Sequence, residues 1–295
     1  MADNKDKSTS PESTPPKFRG RVLIIAGSDS GGGAGIQADI KTVTALGGYA
    51  ATAITALTIQ NTLGVSGVVA TPPKAVRAQM EAVLRDIGAD ALKTGMLGDR
   101  LLVETLAEAF EDLAPKIPRI IDPVMIATSG DSLLPQNAID AVRQLMIPNA
   151  ALVTPNAPEA EVLTGKSVDG LNGQRRAAEK LLSMGANAAL VKGGHVPGDL
   201  IVDVLATQSG EHFFEGERIH TKATHGTGCT LASGIAVGIA RGLSMTDAVA
   251  LARAYLVEAI KRAPGLGQGN GPVDHGWPSR DPEAFANLFA KYKPA

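Results

Sequence analysis

Apolar runs of strand length alternate with helix-length amphipathic stretches along almost the whole chain, and that alternation constrains the fold more than any single motif. The first run, 21–26, is Arg-Val-Leu-Ile-Ile-Ala. A strand this uniformly apolar is one covered on both faces, as in a parallel sheet. Further runs lie at 50–57, 65–70, 91–94, 120–122, 151–154, 188–192 and 200–206. Helical patterns occupy 36–46, closed by Gly47-Gly48, then 73–87, 100–110, 136–146 and 174–184. In 73–87 a proline opens the first turn, and Val76, Met80, Val83, Leu84 and Ile87 share one face. Residues 202–219, carrying Gly210 and Gly216, read as an antiparallel hairpin; helices follow at 231–241, 246–261 and 282–292, with a Gly/Pro-rich loop over 264–280. The expectation is a single three-layer α/β domain over 21–295, with a mostly parallel central sheet and helices on both faces. The Lys/Asp/Ser/Pro-rich stretch 1–20 reads as a disordered tail.

Open parallel sheets bind ligands beyond the carboxyl ends of their strands. Polar clusters fall at those ends here: 27–35, Gln60-Asn61, Lys93-Thr94, Asp122, Asn156 and Lys192. The most pointed stretch is 224–230, Thr-His-Gly-Thr-Gly-Cys-Thr, which runs straight into the apolar helix 231–241. Gly226 and Gly228 flank Thr227, so successive N–H groups can converge on one point at a helix N-terminus, an arrangement suited to phosphate. Thr224 opens this loop and His225 abuts it. Cys229, the only cysteine, falls in the first helical turn, where the thiol pKa is expected to be lowered and a thiolate could accept a proton. Phosphoryl transfer is one reading of the stretch. The other is a Gly-rich loop followed by a cysteine packed as a small hydrophobe.

Other residues make sense as parts of the same site. Asn156 and Glu159, three apart after Pro155, could offer oxygen ligands to hydrated Mg²⁺, or could simply cap a helix. Asp122 could hold metal-bound water or position donor phosphates, and Lys192 is a phosphate clamp or a snorkelling surface residue. On the acceptor side the Gln60 amide matches an aminopyrimidine edge, and Asp39 could accept from an exocyclic amino group. Gly27, Ala34 and Met96 supply small or apolar walls, with core packing the alternative for Met96. Two Gly-rich loops, 31–35 and 226–228, offer two anion surfaces, which makes a second phosphorylation of the same substrate conceivable.

Two nucleotide motifs match by pattern and fail by context. Residues 33–38 fit G-x-G-x-x-A, yet no Asp or Glu lies between Asp39 and Glu81 to take a ribose. Residues 160–167 fit a loosened Walker A pattern, but they look like a helix ending at Gly165 rather than a strand–loop–helix. Composition narrows the rest. A net charge of −2 and 3% aromatic residues give neither an electrostatic footprint nor stacking platforms for nucleic acid. One cysteine excludes an internal disulfide and a Cys-rich zinc site. No uninterrupted apolar run approaches the ~18 residues of a membrane span, and 1–20 lacks the apolar segment of a signal peptide. The expected location is the cytoplasm.

The ordered set of motifs AGSDSGGGAGIQAD (26–39), ALTIQNT (56–62), KTGML (93–97), DPVM (122–125), TPNAPEAE (154–161), VKGGH (191–195), THGTGCTL (224–231) and GNGPVDH (269–275) resembles the ribokinase-like kinases. Within them it is most similar to the hydroxymethylpyrimidine and phosphomethylpyrimidine kinases of thiamine biosynthesis. The resemblance implies ATP and Mg²⁺ as co-substrates and a commonly dimeric protein. It implies pyrimidine contacts from Gly27, Ala34, Asp39, Gln60, Met96 and the Val124 backbone. It also places Asn156 and Glu159 in a metal and phosphate motif, and Cys229 where most ribokinase-like enzymes carry a catalytic Asp. Departures from the family pattern stand at Gly31, Thr128, Ala223 and Gln268. The expected reaction is phosphorylation of 4-amino-5-hydroxymethyl-2-methylpyrimidine and then of its monophosphate. A pyridoxal kinase, or an idle pyrimidine-binding regulator on the same fold, are the rival readings.

Overall fold

The strict alternation of side chains along the first strand sets the layering. In β1 (Arg21–Asp29), Leu23 and Ile25 point one way, Val22 and Ile24 the other, and all four are buried. Leu23 and Ile25 join a core with α2 (Pro73–Asp86), α3 (Arg100–Leu113), α4 (Gln136–Ala141), α5 (Ala157–Thr164) and α6 (Leu171–Ser183). Val22 and Ile24 pack with α1 (Gly35–Ala45), α7 (Thr227–Ala240), α8 (Met245–Lys261), α9 (Trp277–Arg280) and α10 (Pro282–Phe289). A strand buried on both faces has no room for polar alternation, which is why the 21–26 run is apolar throughout. The computed structural model describes residues 19–125 and 134–292. Thr128 and residues 1–18 of the expected tail lie outside the described residues.

The other strands are β2 (Tyr49–Asn61), β3 (Gly64–Ala70), β4 (Ala91–Thr94), β5 (Arg119–Ile121), β6 (Leu152–Val153), β7 (Ala188–Val191), β8 (Leu200–Thr207) and β9 (Gly210–Glu217). They form a nine-stranded sheet in the order β3-β2-β1-β4-β5-β6-β7-β8-β9. From β2 to β7 every neighbour is parallel; β3 and the β8–β9 hairpin add antiparallel edges. The chain leaves β1 towards β2 on one side and returns to β4 on the other, so β1 and β4 flank the switch point where a crevice opens beyond the strand ends.

Three differences from the sequence expectation matter. β1 outruns its apolar stretch: after a bulge, Ser28 and Asp29 pair with Leu57 and Thr58 of β2, which carries a carboxylate to the crevice. The 136–146 helix is α-helical only to Ala141 and continues as a π-helical turn over Val142–Met146. Within the stretch read as loop, α9 forms around a fully buried Trp277, with Pro278 in the first turn where a missing N–H costs nothing.

Candidate active site

A cavity of about 730 Å³ opens at the switch point, a size suited to small ligands. It is lined by every expected site residue except Asp39: Gly27, Ala34, Gln60, Met96, Asp122, Val124, Asn156, Glu159, Lys192, Thr224, His225, Gly226, Thr227, Gly228 and Cys229. The end of α7 gives one wall its chemistry. Gly226 caps α7 at φ +80°, a left-handed conformation, and no side chain caps the helix. The Thr227 N–H and hydroxyl both go to the Thr224 carbonyl, at 3.4 and 3.1 Å, and the Thr230 N–H returns to Gly226 at 2.9 Å. The next two amides, Gly228 and Cys229, have no acceptor among the described residues. Two free N–H groups at the positive end of a helix, facing a cavity, form an anion cradle.

The first Gly-rich loop does something different. Asp29 accepts N–H bonds from Gly31 (2.8 Å), Gly33 (3.0 Å) and Ala34 (2.8 Å), so the loop folds around a carboxylate of its own chain. His225 Nε2 lies 2.8 Å from the same carboxylate. Burial pushes the Asp29 carboxyl up, but the His225, Ala34 and Gly31 hydrogen bonds outweigh it and hold the group below the usual carboxylate range. Loop 31–35 is therefore a clasp and not the second phosphate cradle the sequence suggested. His225 Nε2 is likewise engaged in locking the two loops together, while the residue still lines the cavity beside Gly226.

Cys229 is partly exposed to the cavity. Its thiol is not lowered as its place in the first helical turn predicts. Burial pushes it up to about 12, the Asp39 and Asp122 carboxylates push the same way, and Lys93 with the Gly35 N–H only partly offsets them. At rest the group is a thiol.

Asp39 corrects a second expectation. Its carboxylate lies fully buried beneath the cavity, 2.8 and 2.9 Å from Lys93 Nζ, and accepts from Ser233 Oγ at 2.6 Å. It cannot accept from a pyrimidine amino group. Lys93, which the sequence marks as part of a polar strand end without a role, is its partner: burial pulls it down, yet Asp39 more than compensates and holds the ammonium above the usual lysine value.

Asn156 and Glu159 make the full capping box of α5. Asn156 Oδ1 accepts the Glu159 N–H at 2.9 Å, and Glu159 Oε2 accepts the Asn156 N–H at 2.8 Å. Both still line the cavity. Burial raises the Glu159 carboxyl to about 7, Lys192 lowers it, and Asp122 raises it. Lys192 Nζ sits between the two acids, 3.3 Å from Asp122 Oδ1 and 4.0 Å from Glu159 Oε2. Two carboxylates on one wall suit a hydrated hard cation, with the lysine as counter-charge to phosphate.

The acceptor side is built on β2. The Gln60 backbone is pinned to Ser30 by reciprocal bonds of 2.7 and 2.9 Å, and Thr58 Oγ1 lies 3.1 Å from Gln60 Oε1. The Gln60 NH₂ has no partner among the described residues and can meet a ligand. Met96 is held by a 2.6 Å bond from Thr55 Oγ1 to its carbonyl, and a Cβ on Gly27 would come within 2.7 Å of Met96 Cε. The tip of Met96 thus lies directly over the Gly27 backbone.

Residues 29–274 match the phosphomethylpyrimidine kinase family model. The chain belongs to that family. It is 48% identical to a hydroxymethylpyrimidine/phosphomethylpyrimidine kinase of Streptomyces coelicolor over 90% of this chain and 97% of that protein. Among solved structures, the phosphomethylpyrimidine kinase of Clostridium difficile shares 40% identity at a TM-score of 0.73, covering 81% of this chain and 99% of its own. An ADP complex of Bacillus subtilis pyridoxal kinase shares 33% identity at 0.81, covering 88% and 98%.

In this kinase the cavity is larger than a pyrimidine needs. The cavity runs on past Lys192 to an apolar shelf of Ile201, Ile219, Leu256, Val257 and Ile260. These residues come from β8, the segment after β9, and α8, and no motif marks them. Apolar residues at strand and helix spacing look like core until the fold shows which of them face a cavity.

Proposed function

We propose that this phosphomethylpyrimidine kinase family member transfers the γ-phosphoryl group of ATP to the hydroxymethyl group of 4-amino-5-hydroxymethyl-2-methylpyrimidine and then phosphorylates the monophosphate, in the cytoplasm. The observation that carries the reading is the pair of uncapped amides, Gly228 and Cys229, facing the same cavity as the Gln60 amide. The pyrimidine lies between Met96 and the Gly27–Ala34 turn, with Gln60 and the Val124 carbonyl on its polar edge. Adenine takes the apolar shelf. The transferred group rests against the α7 amides with Lys192 on its flank. Asn156 and Glu159 would hold Mg²⁺ through water, where it would supply positive charge beside the phosphates. Phosphoryl transfer with a loose transition state asks for positioning and charge stabilisation, and these groups supply both. Because the amides of 31–34 are engaged by Asp29, the α7 cradle and Lys192 serve both phosphorylations.

A coupled ADP-release assay with the pyrimidine alcohol, its monophosphate and pyridoxal tests this. Turnover of the alcohol and the monophosphate is expected. Turnover of pyridoxal alone would move the protein to the second reading, which rests on the 0.81 TM-score to a pyridoxal kinase. In the same assay Gln60→Ala should weaken the alcohol by about 1–3 kcal/mol, the cost of leaving buried polar groups unpaired, and leave the ATP constant unchanged. Equal losses for both ligands would remove Gln60 from the acceptor site. Leu57, Ile59 and Val69 are exposed on one face of the β2–β3 pair, with Leu63 in the turn, and we assign this face to a homodimer; a monomer in sedimentation equilibrium at micromolar concentration would refute it.

A further inference from the structure

The buried ion pair under the cavity floor has an orientation. Gly95 lines the cavity, and Lys93 Nζ lies 3.2 Å from the point a Gly95 Cβ would occupy. Like Lys93, Asp39 is fully buried and does not itself line the cavity. Its carboxylate is held from α7 by Ser233, four residues after Cys229 and so on the same helical face. An ammonium carries three N–H donors. Two go to Asp39 Oδ1 and Oδ2, and the third has no acceptor among the described residues. The strand parity agrees: Ala91, two residues before Lys93, packs into the α1–α7 layer.

We propose that Lys93, pinned by Asp39 and Ser233 beneath the first turn of α7, is a positioning residue that sets the acidity of Cys229 by presenting the positive end of a buried ion pair to the thiol. The proposal rests on the reading of Cys229 as the acceptor of the substrate hydroxyl proton, and it adds the group that makes a thiolate attainable there. A single fixed positive charge in a medium of low dielectric acts strongly on a neighbouring group. The other groups facing the thiol are Lys192 and Asp122 from the strand ends after β7 and β5, Asp39 from α1, the Gly35 amide, and the N-terminal amides of α7 itself. Asp122, Lys192 and both helix ends stay in place when the pair is altered, so they form a constant background.

The sole cysteine gives a clean readout. The rate of iodoacetamide alkylation of Cys229 is measured against pH in the folded, ligand-free protein, for wild type and for Lys93→Met/Asp39→Asn, which removes both charges together. Alkylation in the double variant should be roughly tenfold slower at each pH between 7 and 9, one unit of thiol pKa. Rates within twofold of wild type would overturn the proposal. If the double variant does not fold, the ¹⁵Nζ resonance of Lys93 in the wild-type protein decides. It should shift as Cys229 is alkylated or titrated and stay still in Cys229→Ser; a resonance indifferent to the thiol overturns the proposal. Cys229→Ser turnover is read separately. Full activity there would remove the proton-acceptor reading of Cys229, while an altered alkylation rate would still establish the coupling to Lys93.

Discussion

Cys229→Ala should lower turnover by roughly 10²–10⁴, the usual range for loss of a general base, while acceptor affinity stays within a few-fold. The structure adds a second signature. With the thiol pushed up to about 12, the thiolate fraction grows tenfold per pH unit throughout the working range. Wild-type turnover should therefore climb between pH 6 and 9, and the alanine variant should lose that slope as well as the rate. In a loose transition state the hydroxyl proton leaves late. The thiol must first give its own proton to solvent, so only the thiolate fraction can take up the hydroxyl proton, and the rate follows that fraction. Steady-state rates at saturating ATP and alcohol check both parts. An alanine variant within a few-fold of wild type would leave the cradle and Lys192 as the whole of the catalysis.

How much of this was legible beforehand depends on the residue. The layering was, because 21–26 is apolar on both faces and only a doubly covered parallel strand needs that. The α7 cradle was, because it is written in consecutive residues. The spacing of Asn156 and Glu159 left a cap and a ligand pair open; the structure shows the cap, with both side chains still on the cavity wall. Asp39 was misread because a carboxylate one turn into a helix beside the site looks available, whereas its partner stands 54 residues away on β4. One signal could have found that partner. Lys93 sits between buried neighbours in a four-residue strand, and a lysine there must be paired. His225 hides its role for a similar reason: Asp29 is 196 residues upstream. The acidity of Cys229 was not legible at all. Helix position is local, but burial and the two nearby carboxylates come from elsewhere in the fold.

Gly226→Ala should destabilise the protein by about 3–5 kcal/mol, read as a fall in melting temperature on the order of 10 °C. The residue sits at φ +80°, which costs a residue with a Cβ about 1–2 kcal/mol by itself. The added methyl would also collide with the Gly33 carbonyl oxygen and crowd the Ala34 backbone. Neither can yield cheaply: Gly33 and Ala34 are tied to Asp29, and Asp29 is tied to His225, the neighbour of Gly226. Pushing the loops apart breaks the clasp that sets both walls of the cavity. Gly228→Ala makes the decisive comparison. Its Cβ would meet only Lys192 Nζ at 3.5 Å and Asp122 Oδ2 at 3.8 Å, ordinary contact distances. That variant should melt within about 2 °C of wild type, as a change without clash or strain does, yet lose turnover, because the methyl projects towards the place proposed for the transferred phosphate. The two glycines are two residues apart in one motif, and the structure separates them into one that holds the loops together and one that leaves room for the ligand. If Gly226→Ala melted like the wild type, the clasp would be dispensable and the loop geometry would have some other cause.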